Sequence, residues 1–225
     1  MANDILPNSV EALAGLISAD GDEIINQMDE RAERDGFPTV GPEVGGWLEL
    51  FARMTNAKRV FEFGSGFGYS AYWFARGLPD DGEIVLTEID ADELELAREY
   101  FADGNVAVQA QFEHGDAIDI VDEYDGPFDI VLIDNEKHRY REALQAIEGK
   151  LRPGSLVLAD NAITAGPIDH EQVVSMLSST EQEPISEITD ATEGIATYLE
   201  YVRSHEQLQT VLLPLGEGLA VSLVQ

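Results

Sequence analysis

The stretch Val60-Phe61-Glu62-Phe63-Gly64-Ser65-Gly66-Phe67-Gly68-Tyr69-Ser70 decides the fold class. A short apolar run ends in Gly64, Gly66 and Gly68 and passes directly into a helical pattern over Tyr69–Leu78. Glycines at a strand-to-helix turn let the backbone of a bound cofactor come close, because no Cβ stands in the way. Glycine richness alone does not choose among cofactors. Two residues do: the position that would complete a dinucleotide spacing is Tyr69, and Glu62 puts a negative charge beside the space a pyrophosphate needs.

A cofactor with a cationic end fits this loop better. S-adenosylmethionine has an ammonium for Glu62, a carboxylate for Ser70 and the helix N-terminus, and no phosphate. Glu88 closes the next apolar run 24 residues beyond Gly64, near the offset at which an acid accepts ribose hydroxyls. Gly115-Asp116-Ala117 offers a turn and an acceptor for an adenine amino group. Taken singly, Glu62 and Glu88 also read as solvated acids, and Asp116 reads equally as a helix N-cap. Glu62 and Glu88 together, beside the glycine loop, favour the cofactor.

Working outward, apolar runs at Val60–Phe63, Ile84–Thr87, Val106–Val108, Phe128–Ile133 and Leu156–Ala159 alternate with helical stretches near Tyr69–Leu78, Asp92–Phe101 and Arg139–Leu151. Such alternation predicts an open, mostly parallel α/β sheet with ligands at the carboxyl ends of its strands. Val10–Arg34 has the spacing of two short leading helices, and Pro42 opens a third with Val44, Trp47, Leu48, Phe51 and Met54 on one stripe. At the far end, a helix over Ile195–Val202 precedes strands Leu208–Leu213 and Leu219–Val224, joined by Leu215-Gly216-Glu217-Gly218 as an antiparallel hairpin. Ser178–Glu193 is the one candidate for a long loop. The expected organisation is one domain over 1–225, with 1–55 a helical cover and 56–225 the cofactor-binding core.

Composition limits the partners. The chain has 225 residues with 44 acids against 13 basic groups, a formal charge of −31, yet 44% of it is hydrophobic, enough for a large core. A surface this negative repels nucleic-acid phosphates and anionic lipid, so neither is an expected partner. Only Lys58, Lys137 and Lys150 are lysines, which with the acidity suggests a halophilic protein of a salt-rich cytoplasm; an acidic mesophilic protein is the alternative. Cysteine is absent, so thiolate chemistry is excluded. No run approaches the ~18 apolar residues of a membrane span, and a cytoplasmic location is expected.

A second constellation stands at strand ends. Phe128–Ile133 runs into Asp134, with Lys137 three residues on, and Leu156–Ala159 runs into Asp160-Asn161. In a doubly wound sheet both ends open on one edge, so Asp134, Asp160 and Asn161 can converge as three hard oxygen ligands suited to Mg²⁺. The other reading is that both aspartates cap the segments that follow them.

These motifs, in order, resemble the cation-dependent catechol and caffeoyl-CoA O-methyltransferases from about Phe37 to the C-terminus. Glu62-x-Gly64 with Gly68-Tyr69-Ser70 looks like that family's methionine-binding loop, and Leu158-Ala159-Asp160-Asn161 like its second metal segment. Asp134-x-x-Lys137-x-Arg139-Tyr140 is similar to the catechol branch, and Leu213-Pro214-Leu215-Gly216-Glu217-Gly218-Leu219 to the final turn. The resemblance implies a Rossmann-like S-adenosylmethionine-dependent methyltransferase fold, with a mostly parallel seven-stranded sheet, a C-terminal antiparallel hairpin and helices on both faces. It implies methyl transfer to a hydroxyl of a small molecule, with Lys137 as base and Asp134, Asp160 and Asn161 as ligands of a divalent metal. The implied cofactor contacts are Val40, Glu62, Gly64, Gly66, Gly68, Ser70, Glu88, Asp116, Ala117 and Asp134. Tyr198-Leu199-Glu200-Tyr201 resembles the helix whose acid, here Glu200, meets a substrate hydroxyl.

The chain departs from the catechol branch where tryptophan, methionine and proline would clamp a ring: Gly36, Pro38, Glu136 and Ala165 stand there, so a catechol acceptor does not follow. Metal-free methyl transfer and a non-catalytic cofactor-binding module are the rival functions. The leading helices could cover the pocket of their own chain or of a neighbour in a homodimer.

Overall fold

The computed structural model describes residues 13, 15–17, 21–178 and 187–225. Of the first expected leading helix, only Leu13 and residues 15–17 are described, and they are helical; the rest lies outside the described residues. The next helix, α1 (Glu23–Asp35), starts where the Asp22 carboxylate accepts the N–H groups of Ile24 and Ile25, and stops at Gly36 in the left-handed conformation. It buries Ile24, Ile25 and Met28. Helix α2 (Gly41–Thr55) has Pro42 in its first turn and buries Val44, Leu48 and Ala52.

The alternating segment follows as β1 (Arg59–Phe63), α3 (Tyr69–Gly77), β2 (Glu83–Glu88), α4 (Ala91–Asp103), β3 (Gln109–His114), α5 (Ala117–Ile120), β4 (Ile130–Ile133), α6 (Tyr140–Ile147) and β5 (Leu156–Ala159). The chain closes with α7 (His170–Leu177), α8 (Asp190–Ser204), β6 (Leu208–Leu213) and β7 (Leu219–Val224). The seven strands form one sheet in the order β3-β2-β1-β4-β5-β7-β6. The first five are parallel, while β7 runs antiparallel to both β5 and β6. This is the expected mostly parallel sheet with its antiparallel hairpin.

Period-2 alternation divides the core. Val60, Ile84, Leu86, Ile130, Leu132 and Leu158 pack under α1 to α4, while Phe61, Phe63, Val85, Val131, Ile133 and Val157 pack under α5, α6 and α8. Each such side chain, fully buried, contributes about 1.5–3 kcal/mol of transfer free energy. Strand β1 pairs with β2 on one side and β4 on the other, so the strand order reverses there and a crevice opens beyond its carboxyl end.

Three local expectations are corrected, and one helix is added. The third strand is Gln109–His114, not Val106–Val108: as a sheet edge it is only half covered, so it carries Gln109, Gln111 and Glu113, while Val106 and Val108 are a lead-in that packs on the core. The helix expected over Arg139–Leu151 is α6 alone, flanked by 3₁₀ turns at Lys137–Arg139 and Glu148–Lys150. Helix α7, capped by Asp169, was not expected. Within the expected loop Ser178–Glu193, residues 179–186 lie outside the described set, but α8 begins at Asp190, five residues before Ile195, because the Thr189 side chain caps the N–H of Thr192. Among the described residues no helix is long and apolar enough to cross a membrane.

Candidate active site

The loop from β1 to α3 needs its glycines. Gly64, Gly66 and Gly68 have φ of 81°, 49° and 84°, where a Cβ is strained. A Cβ on Gly64 would stand 2.7 Å from the Asp134 carbonyl oxygen, and one on Gly66 would stand 2.7 Å from the Phe37 ring. Because Phe63 pairs with Ile133, the residues following them, Gly64 and Asp134, lie side by side at the crevice.

Glu62 alternates with Phe61 and Phe63 and is fully buried. Its Oε1 accepts the Ser70 hydroxyl, and its Oε2 has no partner. Burial pushes this carboxyl up to about 8; the Ser70 hydrogen bond opposes that, and the charges of Asp134 and Glu88 add to it. A cation at the free oxygen would hold it ionised.

Glu88, at the end of β2, ties the loop together. Its Oε2 accepts the Gly66 N–H at 2.8 Å, and its Oε1 accepts those of Ile89 and Asp90 at 2.8 and 3.0 Å. Asp116 caps α5 through the Ile118 N–H at 3.0 Å and accepts Arg139 Nη1 at 2.7 Å. Burial raises its carboxyl, but the Arg139 and backbone hydrogen bonds outweigh that and leave it below the usual carboxylate range. The capping reading of Asp116 is therefore met, and with Ala117, Gly115, Glu136 and Arg139 it also lines a cavity of 290 Å³.

That cavity shares Gly64, Glu88 and Asp134 with a larger one of 470 Å³, within the range of small-molecule sites. Asp134, Lys137, Asp160 and Asn161 line the larger cavity together, so the two strand ends do converge. Lys137 Nζ donates to Asp134 Oδ1 at 2.8 Å and to Tyr140 Oη at 2.7 Å, and Tyr140 Oη donates to the Asp160 carbonyl at 3.0 Å. Asp160 is 4% exposed and its Oδ1 has no partner. Burial first and the charge of Asp134 second push its carboxyl up to about 8, with Lys137 opposing. Burial also raises Asp134 against the pull of Lys137.

Val40, Gly64, Gly66 and Ser70 line the larger cavity as well, whereas Glu62 sits behind Ser70. Of the residues at the ring-clamping positions, Pro38 and Ala165 line it, Glu136 lines the smaller cavity, and Gly36 serves as the cap of α1. Glu200 is not brought here: it lies half exposed on α8, paired with Arg203, and lines neither cavity. Among the lining or supporting residues to which the sequence assigned no role, three matter most. Phe37 forms the wall beside Gly66, Tyr140 carries the Lys137 contact, and Glu217, from the β6–β7 turn, accepts Asn161 Nδ2 at 2.5 Å. Tyr140 and Glu217 both stand in quoted motifs, Asp134–Tyr140 and Leu213–Leu219, but a turn acid 56 residues from its partner carries no spacing signal that would pair it with Asn161.

Among the described residues no cluster of three or more His, Cys, Asp or Glu is arranged to hold a metal ion. The candidate set is two carboxylates and an amide instead. It suits a hard divalent cation on one observation: buried Asp160, whose carboxyl burial and the charge of half-buried Asp134 push toward its protonated form, keeps a partnerless oxygen, an arrangement that a cation would relieve.

Known proteins give an independent comparison. Over 174 residues the chain is 34% identical to the catechol O-methyltransferase of Niastella koreensis, covering 75% of this chain and 78% of that one. Its fold matches that of the O-methyltransferase TomG of Streptomyces achromogenes, solved with S-adenosylmethionine, at a TM-score of 0.80 and 25% identity over 100% of both chains. The Bacillus cereus O-methyltransferase, solved with S-adenosylhomocysteine, shares the fold at a TM-score of 0.79 and 22% identity, over 96% of this chain and 97% of that one. The family model for O-methyltransferases matches residues 16–224, and the chain belongs to that family of enzymes.

Proposed function

We propose that the protein transfers a methyl group from S-adenosylmethionine to a hydroxyl of a small molecule, with a divalent cation at Asp134, Asp160 and Asn161. The partnerless, buried Oδ1 of Asp160 beside Asp134 carries this reading. When bound, the cofactor supplies an electrophilic methyl group and the cation, Mg²⁺ by the oxygen donor set, supplies Lewis acidity toward the acceptor hydroxyl.

The chain's own residues do the rest. Glu62 takes the ammonium of the cofactor, Ser70 and the first turn of α3 take its carboxylate, Glu88 takes the ribose, and Asp116-Ala117 borders the adenine. Lys137 removes the acceptor's proton, its Nζ held over the cavity by Asp134 and Tyr140. Lys137 is also the only basic residue among the described residues lining the larger cavity, so the acceptor is a neutral or cationic molecule and not a phosphate-bearing thioester. The described residues up to 55 serve as the helical cover of a single domain, and the acidic surface is an adaptation to a salt-rich cytoplasm.

One observation favours a second reading, metal-independent transfer: the Lys137 ammonium already compensates Asp134 without any cation. Labelled S-adenosylmethionine and a panel of vicinal diols, assayed after chelation with and without added Mg²⁺, separates the two. Turnover is expected only with Mg²⁺, and turnover in chelator excludes the metal role. Lys137→Ala should lower turnover by about 10²-fold or more while cofactor binding survives; unchanged turnover removes its role as base.

A further inference from the structure

Asn161 is the weakest member of the ligand set, because an amide presents either an oxygen or an NH₂ to a cation and the two differ by one rotation about its terminal bond. Something must choose. Asn161 Nδ2 donates to Glu217 Oε2 at 2.5 Å. A carboxylate only accepts, so it pairs with the NH₂ side alone and leaves Oδ1 on the opposite side of the amide.

The turn that carries Glu217 is fixed on two sides. The N–H of Ala162 donates to the Gly218 carbonyl at 2.8 Å, and those of Ile163 and Thr164 to the Glu217 carbonyl at 3.1 and 2.9 Å. Gly218, at φ 95°, leaves no room for a Cβ against Ile163, and a Cβ on Gly216 would reach Val44 of α2 at 3.0 Å. Asn161 itself is held at φ 53°, a conformation uncommon for a residue with a side chain. Main chain and side chain of Glu217 thus both grip the segment that follows β5.

We infer that Glu217 is a positioning residue: through its hydrogen bond it fixes the amide of Asn161 with the oxygen toward Asp134 and Asp160, and so sets the affinity of the site for a divalent cation. This rests on the proposed reading of those three residues as cation ligands. Partners that orient a ligand typically control 10–100-fold of metal affinity.

The test is Mn²⁺ binding to the full chain, read by electron paramagnetic resonance or calorimetry, with S-adenosylhomocysteine binding as the control for an intact fold. Glu217→Ala should weaken Mn²⁺ binding about 10–100-fold and leave S-adenosylhomocysteine affinity within about threefold. Glu217→Gln keeps the size but tolerates the flipped amide, so its loss is smaller than that of alanine. An Asn161→Asp background needs no orientation, since a carboxylate presents oxygen either way, and there Glu217→Ala should cost no Mn²⁺ affinity. Wild-type affinity in Glu217→Ala, or an equal loss in the Asn161→Asp background, overturns the positioning role while leaving the cation site standing. Failure of the unaltered protein to bind Mn²⁺ instead overturns the cation reading, and this inference with it.

Discussion

Glu62 couples the site to pH at the scale of a single residue. Its carboxyl lies at about 8 in the folded chain, raised chiefly by burial, against an ordinary 4.5 when unfolded. Between those values the unfolded chain gives up its proton before the folded one does, so the contribution of Glu62 to stability is full below about pH 4.5 and is lost as pH rises through about 8. The melting temperature of the ligand-free protein should therefore fall more between pH 5 and pH 8.5 than that of Glu62→Gln; parallel profiles would contradict the burial argument. A charge-assisted hydrogen bond contributes roughly 1.5–3 kcal/mol, so Glu62→Gln should also weaken S-adenosylhomocysteine about 10–100-fold at pH 7.5. Glu62 was legible as an acid inside an apolar strand that leads into the glycine loop, and Glu88, Asp134 and Asp160 because they sit at strand ends, where the fold class assigns them to the crevice. Glu217 was not, since only the folded hairpin brings it to Asn161, and Glu200 shows the converse, a motif match on a helix face that turns to solvent.

Elements read well from sequence wherever both faces were covered. Strands β1, β2, β4 and β5 are near-continuous apolar runs because helices lie on either side, whereas β3, half covered at the sheet edge, lost its signal to Gln109, Gln111 and Glu113. The start of α8 was missed for another reason: its cap is the hydroxyl of Thr189, ahead of the first apolar repeat. The β1–α3 loop is the element on which the site depends, and its conformation makes a sharp demand. Gly64→Ala places a side chain at φ 81° and pushes a methyl group toward the Asp134 carbonyl, 2.7 Å away, so loop and β4 end must separate. Left-handed strain costs about 1–2 kcal/mol before any clash, and S-adenosylhomocysteine binding should drop by more than about tenfold. Gly149→Ala meets nothing within 4 Å and should bind as the unaltered protein does. Equal binding by both variants, measured by calorimetry, would show that the loop tolerates a side chain and that its glycines are not there for approach.

At the scale of the whole molecule the acids outnumber their possible partners. Thirteen basic groups face 44 carboxylates, and Arg139 already serves both Asp116 and Glu142, so most acids stand without a cation. In dilute buffer their mutual repulsion reaches across the ~10 Å Debye length at 0.1 M salt and works against the compact state. At 1 M the length contracts to ~3 Å, shorter than the spacing of most surface charges, and the repulsion disappears. The buried acids respond differently, since Asp160 and Glu62 are shut away from solvent ions and keep their interactions at high salt. Salt adaptation therefore has a two-part signature. The melting temperature should climb with KCl, steeply up to about 1 M and then level off, while the pH dependence that Glu62 imparts persists at 2 M. A melting temperature indifferent to KCl would leave the charge of −31 as ordinary acidic composition, and a pH dependence erased by KCl would mean that the carboxyl of Glu62 is reached by solvent ions.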